Sequence, residues 1–416
     1  MGTRGFFVMP RSFVHFSYLF FASVAATGVW MRFFPFAPGT SLSYLNVLHA
    51  HSHFALLGWA FLGCFVVFLH IHWDHLRHKR QAILAAWALT VISLVMLAAF
   101  LYQGYGPLSI AASTLHIFVE YWIAFFIYRS VRRNPVSSGI GARFIHGSLF
   151  ALVLSSLGPY SLAYISARGL KETPWYDMAI YFYLHFQYNG WLLLFLTGMF
   201  IFLLRRKRIP LDEGKLRIGF WMYFVALFPG YFHSILWADP GTIVETLAVV
   251  AGMAQFFAVI LLLWSFKESW GHLRRSCPGL ITAGLFLALT TLFIKSALEL
   301  GLLVPVLADL IYDTRSIVIG YLHLTLLGFV SLFILVQYGM AQIWKTDKLT
   351  LYGMSIFIAG FLLNEIFLFL QGLAEWIRAP QIPWSLEGLF LASLMLLAGI
   401  LLMWRSFARI GHGALK

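Results

Sequence analysis

Long apolar stretches alternate with short polar connections along the whole chain. Crossing the hydrocarbon core of a bilayer takes about 20 consecutive apolar residues, and twelve stretches have this character. They span residues 12–34, 47–71, 81–103, 107–128, 144–167, 178–204, 217–237, 243–266, 278–300, 316–342, 350–373 and 386–408. The connections carry Pro, Gly, Asp, Asn or basic residues and are too short to hold a soluble domain. The pattern predicts an all-α integral membrane protein with twelve transmembrane helices.

Composition agrees with a chain that lies in lipid. Hydrophobic residues make up 61% of the sequence and charged residues 11%, whereas soluble proteins are nearer half apolar and a quarter charged. Cys64 and Cys277 are the two cysteines, so the chain has neither a disulfide framework nor a CxxC site. Phosphate-loop and dinucleotide motifs are absent from the sequence, which disfavours nucleotide-driven transport.

The net charge of +13 reflects membrane topology rather than binding of nucleic acid. If both termini lie on one side, 23 of the 29 Lys and Arg residues fall on that side and five on the other, with Lys295 inside the ninth segment. Basic residues concentrate in cytoplasmic loops. We therefore predict a multi-pass protein of the bacterial inner (cytoplasmic) membrane with both termini in the cytoplasm.

A His-x4-Gly-aromatic motif occurs three times, always on the second helix of a group of four. Its copies begin at His53, His185 and His323, which are 132 and 138 residues apart. A transporter built from two halves would instead repeat near half the chain length. The spacing predicts one polytopic membrane domain of three pseudo-symmetric four-helix arcs. The corresponding internal repeats cover about residues 1–140, 141–275 and 276–416.

Five of the 15 histidines are predicted to reach one depth in the membrane. The three motif histidines lie about seven residues inside the outer end of their helices, roughly 10 Å below the surface at the α-helical rise. His116 and His233 reach a similar depth. Polar groups in hydrocarbon are usually functional, and imidazole binds haem iron and copper. We therefore expect a haem or metal site, although each histidine alone could simply link two helices.

Two intramembrane carboxylates follow a basic side chain by one helical turn. Glu120 lies four residues after His116, so it can orient the imidazole, relay a proton or pair with another neighbour. Lys295 and Glu299 have the same spacing and can neutralise each other where helices pack. Either pair can also line a proton path, which a gas-reducing enzyme needs and a sensor does not.

The twelve-helix pattern resembles the catalytic subunit of haem–copper oxidases. That family has three four-helix arcs, with histidine ligands on the second, sixth, seventh and tenth helices. The resemblance implies that His53 and His323 are the axial pair of a low-spin haem and that His185 and His233 lie toward a second metal centre. Arg378 falls where the family binds haem propionates. The family carries a further histidine on each of the seventh and tenth helices, which this chain lacks.

A complete set of ligands would therefore draw on His49, His51 or His116. His49 shares a helix face with His53, while His51 points elsewhere. The stretch from His49 to His51 is also similar to the nitric-oxide-response family NnrS, whose members are twelve-helix proteins with haem and copper. These resemblances imply haem, copper as a further candidate, a separate electron-donor or accessory subunit, and O2 or NO chemistry.

Three functions remain open at this point. The first is a haem-binding protein in electron transfer or in O2 or NO reduction, for which no catalytic residue is assigned. The second is a proton- or metal-coupled transporter whose histidines bind the substrate or carry protons. The third is a non-catalytic accessory or sensor protein of the NnrS type. A last group of histidines, at the inner end of the second segment, is predicted to be interfacial: His70, His72, His75 and His78.

Overall fold

The computed structural model describes residues 9–39, 42–134, 137–344, 346–380 and 382–413. Within these ranges the regular elements are all helical, and twelve helices are long and apolar enough to cross a membrane. They are α1 (Ser12–Phe36), α2 (Tyr44–His75), α3 (Lys79–Gln103), α4 (Pro107–Arg132), α5 (Ile140–Ala167), α6 (Pro174–Arg206), α7 (Glu213–Ala238), α8 (Thr242–Ser265), α9 (Gly279–Leu303), α10 (Arg315–Met340), α11 (Lys348–Trp376) and α12 (Ser385–Arg409). The predicted all-α membrane fold is confirmed, and each predicted segment matches its helix to within four residues at either end.

Two connections differ from the expectation of plain loops. Short helices occupy Lys267–Ser276, between α8 and α9, and Pro305–Asp313, between α9 and α10. The first is rich in charge but buries Ser269 and Leu273. Hydropathy did not reveal either helix because each is far shorter than a membrane span.

The helices that carry the first two motif copies are the most enclosed. In their most apolar stretches, 83% of α2 and 94% of α6 are buried, against 39–67% in the other ten spans. A helix that is apolar on all sides is expected to lie in the interior. Side chains on α2 and α6 therefore face protein over most of their length.

The chain divides into two compact units. The first comprises residues 1–134, 337–367 and 384–416, and the second comprises 135–336 and 368–383. In the first unit α1 packs against α2 and α12, and α3 packs against α4. In the second, α5 packs on α6, α7 on α8, and α9 on α10. The three arcs and the 1–140, 141–275 and 276–416 repeats stay predictions, as does the side of the termini, which lie outside the described residues.

Each copy of the His-x4-Gly-aromatic motif is associated with a π-helical segment. These segments cover Phe54–Ala60 in α2, His185–Leu192 in α6 and Leu324–Ser331 in α10. Well under 1% of residues in soluble proteins are π-helical, and such bulges occur frequently at functional sites. The three motif copies thus share an uncommon local backbone as well as a sequence pattern.

Candidate functional site

His53 is the last α-helical residue before the π-helical segment of α2. Its Nδ1–H donates to the His49 carbonyl at 3.0 Å, which leaves the lone pair on Nε2. The Tyr105 hydroxyl donates to that Nε2 at 3.1 Å, and the imidazole stacks on Phe100 with ring centroids 4.3 Å apart. The side chain is partly exposed. A metal-ligating histidine typically has this arrangement, with one N–H held by a carbonyl and the other nitrogen as the ligand.

His323 has the same position and the same ring tautomer in the second unit. It directly precedes the π-helical segment of α10, it is partly exposed, and its Nδ1–H donates to the Ile319 carbonyl at 2.8 Å. The acceptor is again four residues earlier. His53 and His323 therefore share the same imidazole tautomer.

Arg378 follows α11 and is exposed, with a left-handed φ of 53°. The Trp376 Nε1–H donates to the Thr314 hydroxyl at 2.8 Å, which holds the end of α11 beside the start of α10. Arg378 consequently lies at the end of the second unit where α10, the helix that carries His323, begins. Its predicted contact with haem propionates stays a prediction.

His49 and His51 lie on different faces of α2, as their spacing predicts. The His49 ring contacts Tyr105 edge-on at a centroid distance of 4.4 Å, on the same face as His53. The His51 Nδ1–H donates to the Val24 carbonyl of α1 at 3.0 Å, and the Thr27 hydroxyl lies 3.0 Å from the same nitrogen. His51 thus links α2 to α1, whereas His49 accompanies His53.

His116 is fully buried on α4, and both of its ring nitrogens are bonded within the chain. Nδ1–H donates to the Glu120 carboxylate at 2.9 Å, and Nε2 lies 3.2 Å from the Ser93 hydroxyl of α3. Glu120 is buried as well. The sequence left three roles open for Glu120. The structure shows its carboxylate bonded directly to the His116 imidazole.

His185 belongs to a buried polar network in the second unit. Its Nε2–H donates to the Leu227 carbonyl at 2.8 Å, and Nδ1 accepts from the Asn189 amide at 3.3 Å. Asn189 also donates to Glu299 at 3.3 Å. The histidine, one turn of α6 and an acidic group of α9 are thereby connected.

Lys295 and Glu299 complete this network. The Lys295 ammonium, 1% exposed, donates to Glu299 at 2.8 Å and also to the Asn189 side-chain oxygen. The Tyr321 hydroxyl of α10 donates to the same carboxylate at 2.6 Å. The predicted pairing of the two charges is confirmed, and it includes neutral partners on two further helices.

His233 lies in the 3₁₀ turn Tyr231–Ala238 that ends α7, just after Pro229. Its ring packs against the backbone of Gly252 on α8 so closely that any side chain there would overlap it. Nε2 is buried and has no hydrogen-bond partner among the described residues. The Tyr312 hydroxyl donates to the His233 carbonyl at 3.3 Å. Burial raises the pKa of Tyr312, so this hydroxyl keeps its proton.

The three histidines predicted for a metal belong to different compact units. His116 lies in the first unit, and His185 and His233 lie in the second. In the described part of the chain, no three His, Cys, Asp or Glu side chains are grouped so that they could hold a metal ion. His116 and His185, like His53, have both ring nitrogens bonded within the chain. Copper at these residues stays a prediction and carries no step in the proposal below.

Sequence reasoning missed several partners at these sites, including Asn189, Tyr105 and Tyr321. Asn189 follows His185 by one helical turn, and that spacing is a signal that could have identified it. Tyr105 and Tyr321 reach their acceptors from other helices or connections, and among 18 tyrosines nothing in the sequence distinguishes them. Comparison with known proteins adds no assignment: no protein-family model matches the chain, and no curated protein shows significant similarity to it.

Proposed function

We propose that the chain is a haem-binding membrane protein whose iron ligands include His53 and His323. The observation that carries the proposal is the tautomer that these two motif histidines share, with Nδ1–H held by a backbone carbonyl in both. Haem iron binds neutral imidazole, and a held N–H fixes both the orientation and the basicity of the ring. Both residues are partly exposed, whereas His116 and His185 are buried.

When bound, haem supplies one-electron chemistry. The role of the protein is to hold each imidazole in place. The His49 carbonyl holds the His53 ring, and the Ile319 carbonyl holds the His323 ring. Ligation through His53 requires the bond from the Tyr105 hydroxyl to break. Tyr105 lies in the short α3–α4 connection and is 57% exposed, which gives its side chain room to turn away. Electrons would come from a separate donor subunit.

The haem content of the purified chain tests this proposal. We expect bound haem in wild-type protein expressed with ample haem, and a clear fall in haem per chain in His53→Ala and His323→Ala. His72→Gln is the matched control, because His72 also lies on α2 and donates Nδ1–H to the carbonyl four residues earlier, at 3.1 Å. A haem-free wild-type protein, or an unchanged haem content in both motif variants, rules the proposal out.

A second candidate function is proton-coupled transport, and the buried network of the second unit favours it. Ionisable groups inside membrane spans commonly mark proton or ion pathways. His185, Asn189, Lys295, Glu299 and Tyr321 form a continuous set of hydrogen bonds across α6, α9 and α10. Such a set can pass a proton between its members, whether or not haem is present.

Proton flux into vesicles that contain the purified chain distinguishes this candidate. A proton-coupled transporter predicts that Lys295→Met lowers the flux at least tenfold, while His53→Ala leaves it unchanged. The matched control is Lys267→Met, on the short helix after α8. Flux that is absent in wild type, or equal in the two lysine variants, excludes the candidate.

Consumption of O2 or NO distinguishes the two haem-based alternatives, an oxidoreductase and a non-catalytic accessory or sensor protein. An oxidoreductase predicts consumption of O2 or NO by the haem-loaded chain when an electron donor is supplied. An accessory or sensor protein of the NnrS type predicts haem without turnover. Oxygen- and nitric-oxide-electrode traces on the same preparation measure both outcomes.

A further inference from the structure

A cavity of about 230 Å³ lies at the end of the first unit where α2 ends, α3 begins and α4 ends. The last residue of α2 and the connection after it contribute His75, Arg77 and His78 to its lining, and α4 with the residue after it contributes Arg129 and Arg133. This is the end of the helices at which basic residues are concentrated. In the predicted orientation, it faces the cytoplasmic leaflet.

The cavity is suited to an anion. Three arginines and two histidines line it, and no Asp or Glu does. None of these arginines has a carboxylate within ion-pair distance in the described residues. Guanidinium groups gathered without a counter-charge repel one another, and they match the geometry of a phosphate through paired N–H donors. The lining therefore selects a phosphate or phosphodiester.

The same cavity continues into an apolar surface that faces the membrane. Trp122 and Phe125 also line it, and they are 39% and 58% exposed. Trp122, Phe125, Arg129 and Arg133 follow one another at intervals of three or four residues, so they share one face of α4. That face carries aromatic rings at one end and guanidinium groups at the other. The Arg129 guanidinium already lies over the Phe125 ring, 5.4 Å from its centroid. A ligand on this face needs an anionic head and an apolar tail.

We propose that this cavity binds the phosphate-containing headgroup of an anionic phospholipid. Its volume is below the roughly 300–1,000 Å³ of pockets that enclose a whole small molecule. It can therefore take a headgroup while the acyl chains lie along Trp122 and Phe125. Basic pockets between transmembrane helices on the cytoplasmic side are known to recognise anionic lipid headgroups. The histidines predicted to be merely interfacial, His75 and His78, become part of this site.

Native mass spectrometry of the full-length chain in detergent tests the proposal. We expect phosphatidylglycerol to bind at least tenfold more tightly than phosphatidylcholine, and Arg129→Gln/Arg133→Gln to lose that preference. Arg132→Gln is the matched control, because Arg132 lies on the same helix turn but donates to the Tyr128 hydroxyl and does not line the cavity. Arg77→Gln, in the exposed connection, provides a second loss-of-binding variant should the double variant unfold.

Competition with inorganic phosphate tests whether the site binds a free anion instead of a lipid. If phosphate alone competes fully with phosphatidylglycerol and the two lipids bind equally, the site is for a free anion and the lipid assignment is wrong. Equal binding of both lipids without competition by phosphate overturns the site altogether, as does unchanged lipid preference in both cavity variants.

Discussion

Some buried polar side chains of the first unit have partners one helical turn away or on the neighbouring helix. His116 is the clearest case, because Glu120 accepts from one ring nitrogen and the Ser93 hydroxyl lies beside the other. A buried donor or acceptor left without its partner destabilises a protein by about 1–3 kcal/mol, more than the net contribution of the hydrogen bond itself. His116 therefore acts as part of a pair rather than as an isolated imidazole.

Removing the carboxylate from this pair tests that dependence. We expect Glu120→Ala to lower the free energy of unfolding by about 1–3 kcal/mol, because Nδ1–H of His116 loses its acceptor in a buried place. Glu120→Gln keeps an acceptor oxygen and is expected to lower it less. Thermal unfolding in detergent measures both, with Glu268→Ala, an exposed glutamate, as the control. Equal stability of Glu120→Ala and the control would show that the pair contributes nothing.

At the scale of elements, two transmembrane helices begin at an aspartate cap. The Asp212 carboxylate accepts from the Lys215 N–H at 3.0 Å before α7, and the Asp347 carboxylate accepts from the Thr350 N–H at 2.8 Å before α11. Such caps contribute about 0.5–2 kcal/mol. Asp347 also accepts from the Ser406 hydroxyl at 2.8 Å, so it connects α11 to α12 as well.

The Asp347 cap predicts a pH dependence. Burial raises the pKa of its carboxyl, but the hydrogen bonds from Thr350 and Ser406 outweigh burial and hold it below the usual 3.8. A lowered pKa means that the stabilisation is complete above the unfolded-state value and is lost as the pH falls through the folded-state value. We expect Asp347→Asn to lower thermal stability at pH 6, and the difference from wild type to shrink below about pH 3.8. A constant difference across that range would contradict the assignment.

One π-helical segment has a glycine where two helices approach closely. A methyl group at Gly190 would overlap the Ala151 side chain of α5, whereas at Gly58 it would overlap the Phe54 ring one turn earlier in the same helix. Inserting a methyl group into a packed interior usually destabilises by about 1–3 kcal/mol. The sequence marked these glycines as part of a repeated motif. It did not indicate π-helical backbone, because the hydropathy of a π-bulge differs little from that of an α-helix.

Gly190→Ala tests the close approach of α5 and α6. We expect a fall in unfolding free energy of about 1–3 kcal/mol, together with weaker protection of the His185–Leu192 amides in hydrogen exchange. Gly279→Ala is the control, because no atom lies within 4 Å of a methyl group added there. Identical behaviour of the two variants would mean that the α5–α6 packing tolerates the methyl group.

At the scale of the whole molecule, hydropathy predicted the twelve helices because every membrane span must satisfy its backbone internally and expose apolar side chains. The same argument could not predict which side chains meet. Asn189 and Lys295 are 106 residues apart in the chain, and their contact depends on how α6 and α9 pack. Spacings of four residues did predict the partners within one helix, His116 with Glu120 and Lys295 with Glu299.

The absorption spectrum of the purified, haem-supplied chain tests the central claim most directly. Ligation by His53 and His323 predicts a low-spin Soret and α-band spectrum in wild type, which is lost or becomes high-spin in His53→Ala and in His323→Ala. His272→Ala, on the exposed part of the helix after α8, should leave it unchanged. A colourless wild-type protein, or one whose bands survive both motif substitutions, would contradict the claim.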